Sequence, residues 1–198
     1  MNSRYGSVVF DEWAVVSLVE NKARVLFYTG PRNDEFLKNF VKDLGALRAE
    51  LARPDPRRRI MPGVRELLDA LSSRPDVLLG LLTGNIEEGA RAKLEPFGLN
   101  GYFPSGGFSS DHRDRSEIAR LAHEKTSRHA GAVIPPGRVS VLGDTEHDIS
   151  CARANGFRAI AVYSGWVPHD RLAAAHPDFL FEDLSDLPSV LSALGLPA

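Results

Sequence analysis

The spacing of hydrophobic and polar residues changes period several times along the chain, and those changes mark out its elements. Residues 7–19 are apolar and rich in β-branched side chains, broken by Asp11-Glu12. A second run over 23–28 stops at Thr29-Gly30-Pro31. These two read as strands paired in a hairpin. From Asn33 or Asp34 the period becomes 3.6, with Phe36, Leu37, Phe40, Val41, Leu44 and Leu47 on one face. That predicts a helix over 34–51, which Pro54-Asp55-Pro56 brings to an end. Pro62-Gly63 opens a helix over 64–72 with Leu67, Leu68 and Leu71 on one side.

Beyond this point short apolar runs alternate with helical patterns. The spacing predicts strands over 77–82, 139–142, 159–163 and 179–181, with Tyr102-Phe103 as a short strand edge and Gly106-Gly107-Phe108 as a loop. It predicts helices over 86–97, 116–130, 149–155 and 187–194, and a helical turn over 171–175. Gly98 and Gly156 stand where left-handed C-terminal caps belong. Apolar strands of four to six residues alternating with helices indicate an α/β fold, a doubly wound, Rossmann-like parallel sheet with helices on both faces.

Composition narrows the function classes. The chain has 198 residues, 43% hydrophobic and 25% charged, enough for one good-sized domain with a small insertion. A net charge of −2 excludes a global basic field, so neither nucleic acid nor an acidic membrane surface is an expected partner. The local run from Arg53 to Arg59 contains two prolines and reads as a solvated linker. The one cysteine, Cys151, rules out an internal disulfide and suits a reducing compartment; it reads as a packing residue. No apolar run reaches the roughly 18 residues of a membrane span, and residues 1–5 do not lead into a signal-peptide core. The expectation is a soluble, cytoplasmic protein, with no signal for an oligomeric state.

Two stretches carry chemistry. In Thr83-Gly84-Asn85 a strand runs into a hydroxyl, a glycine and an amide at a helix start, which either caps its own helix or offers donors to an anion. In Gly143-Asp144-Thr145-Glu146-His147-Asp148 a buried strand ends in one Asp, with a second one helical turn later. That is either a capped helix start or a pair of oxygen ligands for a hard cation at the carboxyl edge of a sheet.

In this order the two stretches resemble the haloacid dehalogenase-like hydrolase superfamily, closest to its phosphoglycolate-phosphatase-like branch. The segment 79–85 resembles motif II, and Gly143 to Asp148 resembles motif IV, G-D-x-x-x-D. The segment 92–103 and the tail 177–187 also match the branch, so the resemblance spans roughly 57–194. It implies that Thr83, Gly84 and Asn85 bind the transferring phosphoryl group. It further implies that Asp144 ligates Mg²⁺ directly, and that Asp148 ligates through water or orients the other ligands. A basic residue at the next helix start would screen the phosphate's charge; Arg115 is the positional match, with Arg113 and Lys93 as rivals.

The N-terminal part departs from the pattern. Motif I, D-x-D-x-T, supplies a nucleophile and a general acid. Here Asp11 follows a strand, but Trp13 and Val15 occupy the +2 and +4 positions, and the second strand ends in Tyr28. Asp11 is therefore the provisional nucleophile and a third metal ligand. Residues 31–56 hold one predicted helix where this branch inserts a four-helix cap, and 57–194 form the core. The expected activity is Mg²⁺-dependent hydrolysis of a small phosphomonoester through an aspartyl-phosphate. The alternative is a non-catalytic descendant that keeps the phosphate and Mg²⁺ pocket as a binding or regulatory module.

Overall fold

A computed structural model describes residues 44, 45, 47–49, 51, 59–164 and 167–197. The hairpin expected over 7–28, Asp11, and most of the helix and linker expected over 31–56 lie outside these residues. The described residues of 44–51 are helical, with Leu47 and Leu51 buried against Ala92.

The alternation expected beyond residue 60 is what the chain builds. Helix α1 (Val64–Ser72) is followed by β1 (Gly80–Leu82), α2 (Glu87–Leu94), β2 (Ser105–Gly107) and α3 (Arg115–Ala130). Then come β3 (Ser140–Gly143), α4 (Glu146–Ala154), β4 (Arg158–Val162), α5 (His169–Ala174), β5 (Phe179–Phe181) and α6 (Leu187–Ala193). Every strand pair is parallel: β1 with β2, and β3-β4-β5 in that order. Successive strand residues point to opposite faces, so β1, β3 and β4 each feed two cores. Leu81, Leu142, Ile160 and Val162 enter one core with α1 and α6. Leu82, Val141, Ala159 and Ala161 enter the other with Ile118, Ile149 and Leu172. The parallel strands are thus covered by helices on both sides, as the doubly wound class requires.

Several boundaries differ from the sequence-based expectation. Tyr102 closes a 3₁₀ turn over Asn100–Tyr102 rather than a strand, and the strand falls on Ser105–Gly107, whose two glycines belong to the stretch 106–108 expected as a loop. Two glycines lack the side chains that usually mark a strand. Here both are needed because β1 and α3 lie directly on β2: a Cβ on Gly107 would sit 2.5 Å from the Ile118 carbonyl oxygen of α3. A Cβ on Gly106 would sit 2.6 Å from the Leu81 carbonyl oxygen. β1 is shorter than expected, because its β2 partner begins only opposite Gly80. Helix α4 begins at Glu146, three residues earlier than the apolar pattern suggests, because a polar cap starts it. Gly98 and Gly156 do adopt left-handed φ values of 66° and 69°. Cys151 is buried, its Sγ 3.2 Å from the Asp148 carbonyl oxygen, which is a packing position. Among the described residues no helix is long and apolar enough to cross a membrane.

Candidate functional site

Parallel strands in an open α/β sheet place their carboxyl ends together, and ligands bind there. β2 leaves its carboxyl end through residues 108–114 to the start of α3, whose first residue, Arg115, reaches Asp148 beyond the end of β3. The carboxyl ends of both strand groups therefore face one region. The buried polar and charged side chains among the described residues are Thr83, Asn85, Lys93, Asp144, Thr145 and Asp148. Five of these six belong to the two sequence stretches. Buried carboxylates persist only when paired or hydrogen-bonded, so the partners define the site.

Asp148 is a scaffold acid. Its Oδ2 accepts from the Asp144 and Thr145 backbone N–H groups, both at 3.1 Å, and from the Thr145 hydroxyl at 2.9 Å. With the Asp148 N–H returned to Thr145 Oγ1, this forms a capping box that starts α4. Its Oδ1 accepts from Arg115 at 2.5 Å, an ion pair whose side chains are 10% and 2% exposed. Burial pushes the Asp148 carboxyl above its ordinary pKa, while the Arg115 guanidinium and the Thr145 donors pull it back. Gly143 is part of the same arrangement. A Cβ there would lie 2.2 Å from Asp148 Cγ, so the acid packs directly over the strand's last residue.

Asp144 is held differently. It is 2% exposed, and its Oδ2 accepts a 2.6 Å hydrogen bond from the Ser164 hydroxyl. Ser164 follows β4, the parallel neighbour of β3. On the other strand group, Thr83 is fully buried, its N–H donates to Gly107 O, and its Oγ1 accepts the Asn85 N–H at 3.1 Å. Helix α2 is N-capped by Ile86 without any side-chain cap, so neither Thr83 nor Asn85 caps it. The first turn of α2 therefore keeps backbone donors and the positive end of its dipole beside Thr83-Gly84-Asn85.

The approach to Arg115 is also held. Ser109 N–H donates to Asn85 O, Phe108 N–H to Asp111 Oδ2, and Lys125 pairs with the same oxygen at 2.7 Å. Asp114 caps α3 through Ser116 and Glu117. Of the rivals to Arg115, Arg113 is exposed. Lys93 is buried on α2, where desolvation pushes its pKa down to about 7. His112 and His147 are exposed.

The donors at this edge are carboxylate and hydroxyl oxygens, the kind a hard cation takes, although no group of three or more His, Cys, Asp and Glu that could hold a metal ion occurs among the described residues. Mg²⁺ needs only one or two carboxylates, because water and substrate phosphate complete its shell. Asp144 fits as a direct ligand. Asp148, with both oxygens engaged, fits as an orienting acid. Sequence reasoning missed Thr145 and Ser164. T-x-x-D at 145–148 carries the capping-box spacing and could have been read; Ser164 is marked only by its place after a neighbouring strand. A separate hollow lined by Arg48, Leu51, Ala92, Glu95 and Pro96 lies at the opposite end of α2 from Thr83.

The chain is similar in sequence and in fold to known proteins. The HAD-hydrolase-like family model matches residues 116–187. The chain is 32% identical over 141 residues to a phosphoglycolate phosphatase from Synechococcus elongatus, covering 70% of this chain and 62% of that protein. It is 28% identical over 184 residues to "Probable phosphatase IndB" of Dickeya dadantii, covering 91% and 77%. CbbY from Rhodobacter sphaeroides, solved in complex with phosphate, shares the fold with a TM-score of 0.65 and 20% identity, over 92% of this chain and 80% of that one. The chain thus spans somewhat less than two thirds of its Synechococcus relative.

Proposed function

We propose, for a chain that belongs to the haloacid dehalogenase-like hydrolases and to their phosphoglycolate-phosphatase-like branch, Mg²⁺-dependent hydrolysis of a small phosphomonoester through an aspartyl-phosphate. The observation that carries this reading is the division of labour between two buried acids after β3. Asp144 is steadied by a hydroxyl, and Asp148 holds a guanidinium at the same edge. Mg²⁺, where Asp144 would hold it, supplies positive charge to the phosphoryl oxygens. Asp148 fixes the start of α4 and keeps Arg115 turned toward the site, where the guanidinium offsets developing negative charge. The Thr83 hydroxyl, Gly84 and the first turn of α2, which has no side-chain cap, receive phosphoryl oxygens, and Asn85 lines the same turn.

Asp11, by its sequence position, takes the nucleophile's part and joins the metal ligands. Trp13, two residues on, has no carboxyl to protonate the leaving oxygen. Loss of a general acid lowers rates by about 10²–10⁴-fold, so we expect slow turnover with alkoxide leaving groups and a smaller deficit with activated aryl phosphates. The setting we propose is cytoplasmic and the partner a small phosphorylated metabolite. Relatives that carry phosphatase names give the non-catalytic alternative no support.

The test is p-nitrophenyl phosphate and phosphoglycolate hydrolysis with Mg²⁺ and with EDTA, for the wild type and the Asp144→Ala variant. Mg²⁺-dependent release of phosphate that disappears in Asp144→Ala supports the reading. Equal rates in the two proteins overturn it.

A further inference from the structure

We infer that Ser164 is a positioning residue for the divalent-cation site, acting through Asp144; this rests on the reading of Asp144 as a metal ligand given above. Its Oγ donates to Asp144 Oδ2 at 2.6 Å, a short charge-assisted bond to a carboxylate that is 2% exposed. The bond crosses between two strand ends. Asp144 follows β3 and Ser164 follows β4, and the register sets Gly143 opposite Ala161, so the hydroxyl arrives from one strand over.

An aspartate carboxylate has one soft torsion beyond its rotamer. A donor bound to one oxygen fixes that torsion and thereby the direction of the other. Asp148 does not do this for Asp144, because a carboxylate only accepts, and its oxygens accept from Arg115, from Thr145 and from the Asp144 backbone N–H. Ser164 is thus a side chain from outside motif IV that orients the motif's first acid, and the sequence motif does not include it. Partners that orient a ligating carboxylate typically change metal affinity by about 10–100-fold when removed.

The experiment is a Mn²⁺ titration followed by electron paramagnetic resonance on the full chain, which reads binding without any turnover. The set is wild type, Asp144→Asn, Ser164→Ala and Ser164→Thr, each checked for folding by circular dichroism. We expect saturable binding in the wild type and its loss in Asp144→Asn. Ser164→Ala should bind about 10-fold more weakly, and Ser164→Thr, which keeps the hydroxyl, within about 3-fold of wild type. Wild-type affinity in Ser164→Ala, alongside loss in Asp144→Asn, overturns the role of Ser164 and leaves the metal site standing. Equal weakening in Ala and Thr assigns the effect to packing and also overturns it. Absence of saturable binding in the wild type overturns both readings.

Discussion

Gly143→Ala is the most exposing single change the structure offers, because it separates a conformational role for the glycine from a steric one. Gly143 is not among the glycines with positive φ, so alanine can adopt its backbone conformation. The obstacle is Asp148: the new Cβ would lie 2.2 Å from Cγ, 2.3 Å from Oδ2 and 2.4 Å from Cβ of that residue. Asp148 would have to leave, and its capping box and ion pair with Arg115 would go with it. Loss of the cap alone costs about 1 kcal/mol, and breaking a buried ion pair costs about 3–5 kcal/mol. The two share one side chain and do not add. We expect about 3–5 kcal/mol of destabilisation, a large part of the roughly 5–15 kcal/mol that holds a domain together. At this chain length that corresponds to a fall in Tm of about 6–20 °C. Equilibrium urea unfolding followed by circular dichroism measures it. A second background isolates the cause. Because even the Asp148 Cβ is too close, the partner change is Asp148→Gly, and the intrinsic cost of a glycine in the helix cancels around the cycle. In that background most of the Gly143→Ala penalty should vanish. A penalty under about 1 kcal/mol in the wild type, or an undiminished one with Asp148→Gly, would refute the steric argument.

Other outcomes follow from the same geometry. Arg115→Met should cost about 3 kcal/mol or more in urea unfolding, because it strands a carboxylate that is 2% exposed; a loss within about 0.5 kcal/mol would show the pair to be a solvated surface contact. Burial pushes the Cys151 thiol up to about 12, so roughly one in 10⁴ is ionised at pH 8. A thiol reagent should therefore label the native protein only as fast as it unfolds, and rapid stoichiometric labelling would contradict the packing role. Lys93 is pushed down to about 7 from 10.5, so between those values the unfolded chain binds a proton that the folded chain does not. Stability should then rise with pH across that window, by an amount on the order of 4 kcal/mol. The stability advantage of Lys93→Met over wild type should accordingly shrink from pH 7 to pH 10. Taking the difference removes the opposing loss from Cys151, which both proteins share; a constant advantage would place a compensating charge beside Lys93.

The alternation of strands and helices beyond residue 60 was legible because period and burial coincide there. Leu67, Leu68 and Leu71 face the core as their spacing predicts, and the limits of α1 and β5 agree with the pattern. The pattern failed where backbone rather than side chains makes the contact. β2 is a serine and two glycines, a sequence that carries no strand propensity; it is a strand because it pairs with β1, and its glycines leave room for β1 and α3. It also failed at α4, whose start is set by hydrogen bonds among Thr145 and Asp148 rather than by its apolar face. Thr83, Asn85, Asp144 and Asp148 could be picked out from strand-end position and residue type. Ser164 could not, since its place at the site depends on which strand lies beside β3.

That difference bears on how G-D-x-x-x-D should be read. As a string it presents two acids one turn apart, and nothing in the string itself sets a direct ligand apart from an orienting acid. In the fold they are unequal, because each is committed by different neighbours. The glycine and the position after the first acid both serve the second: Gly143 by lacking a Cβ, Thr145 by donating through backbone and hydroxyl. The first acid is served from another strand by Ser164. The second acid's engagement with Arg115 couples the placement of the positive side chain to the start of α4. A substitution at Asp148 should therefore perturb stability and the placement of the Arg115 guanidinium together. One at Asp144 should perturb cation binding with a smaller loss of stability, because Asp144 takes no part in the capping box or the ion pair with Arg115. Urea unfolding and Mn²⁺ titration of Asp144→Asn and Asp148→Asn, run side by side, make that contrast measurable. Equal stability losses from the two changes would return the motif to a pair of interchangeable ligands.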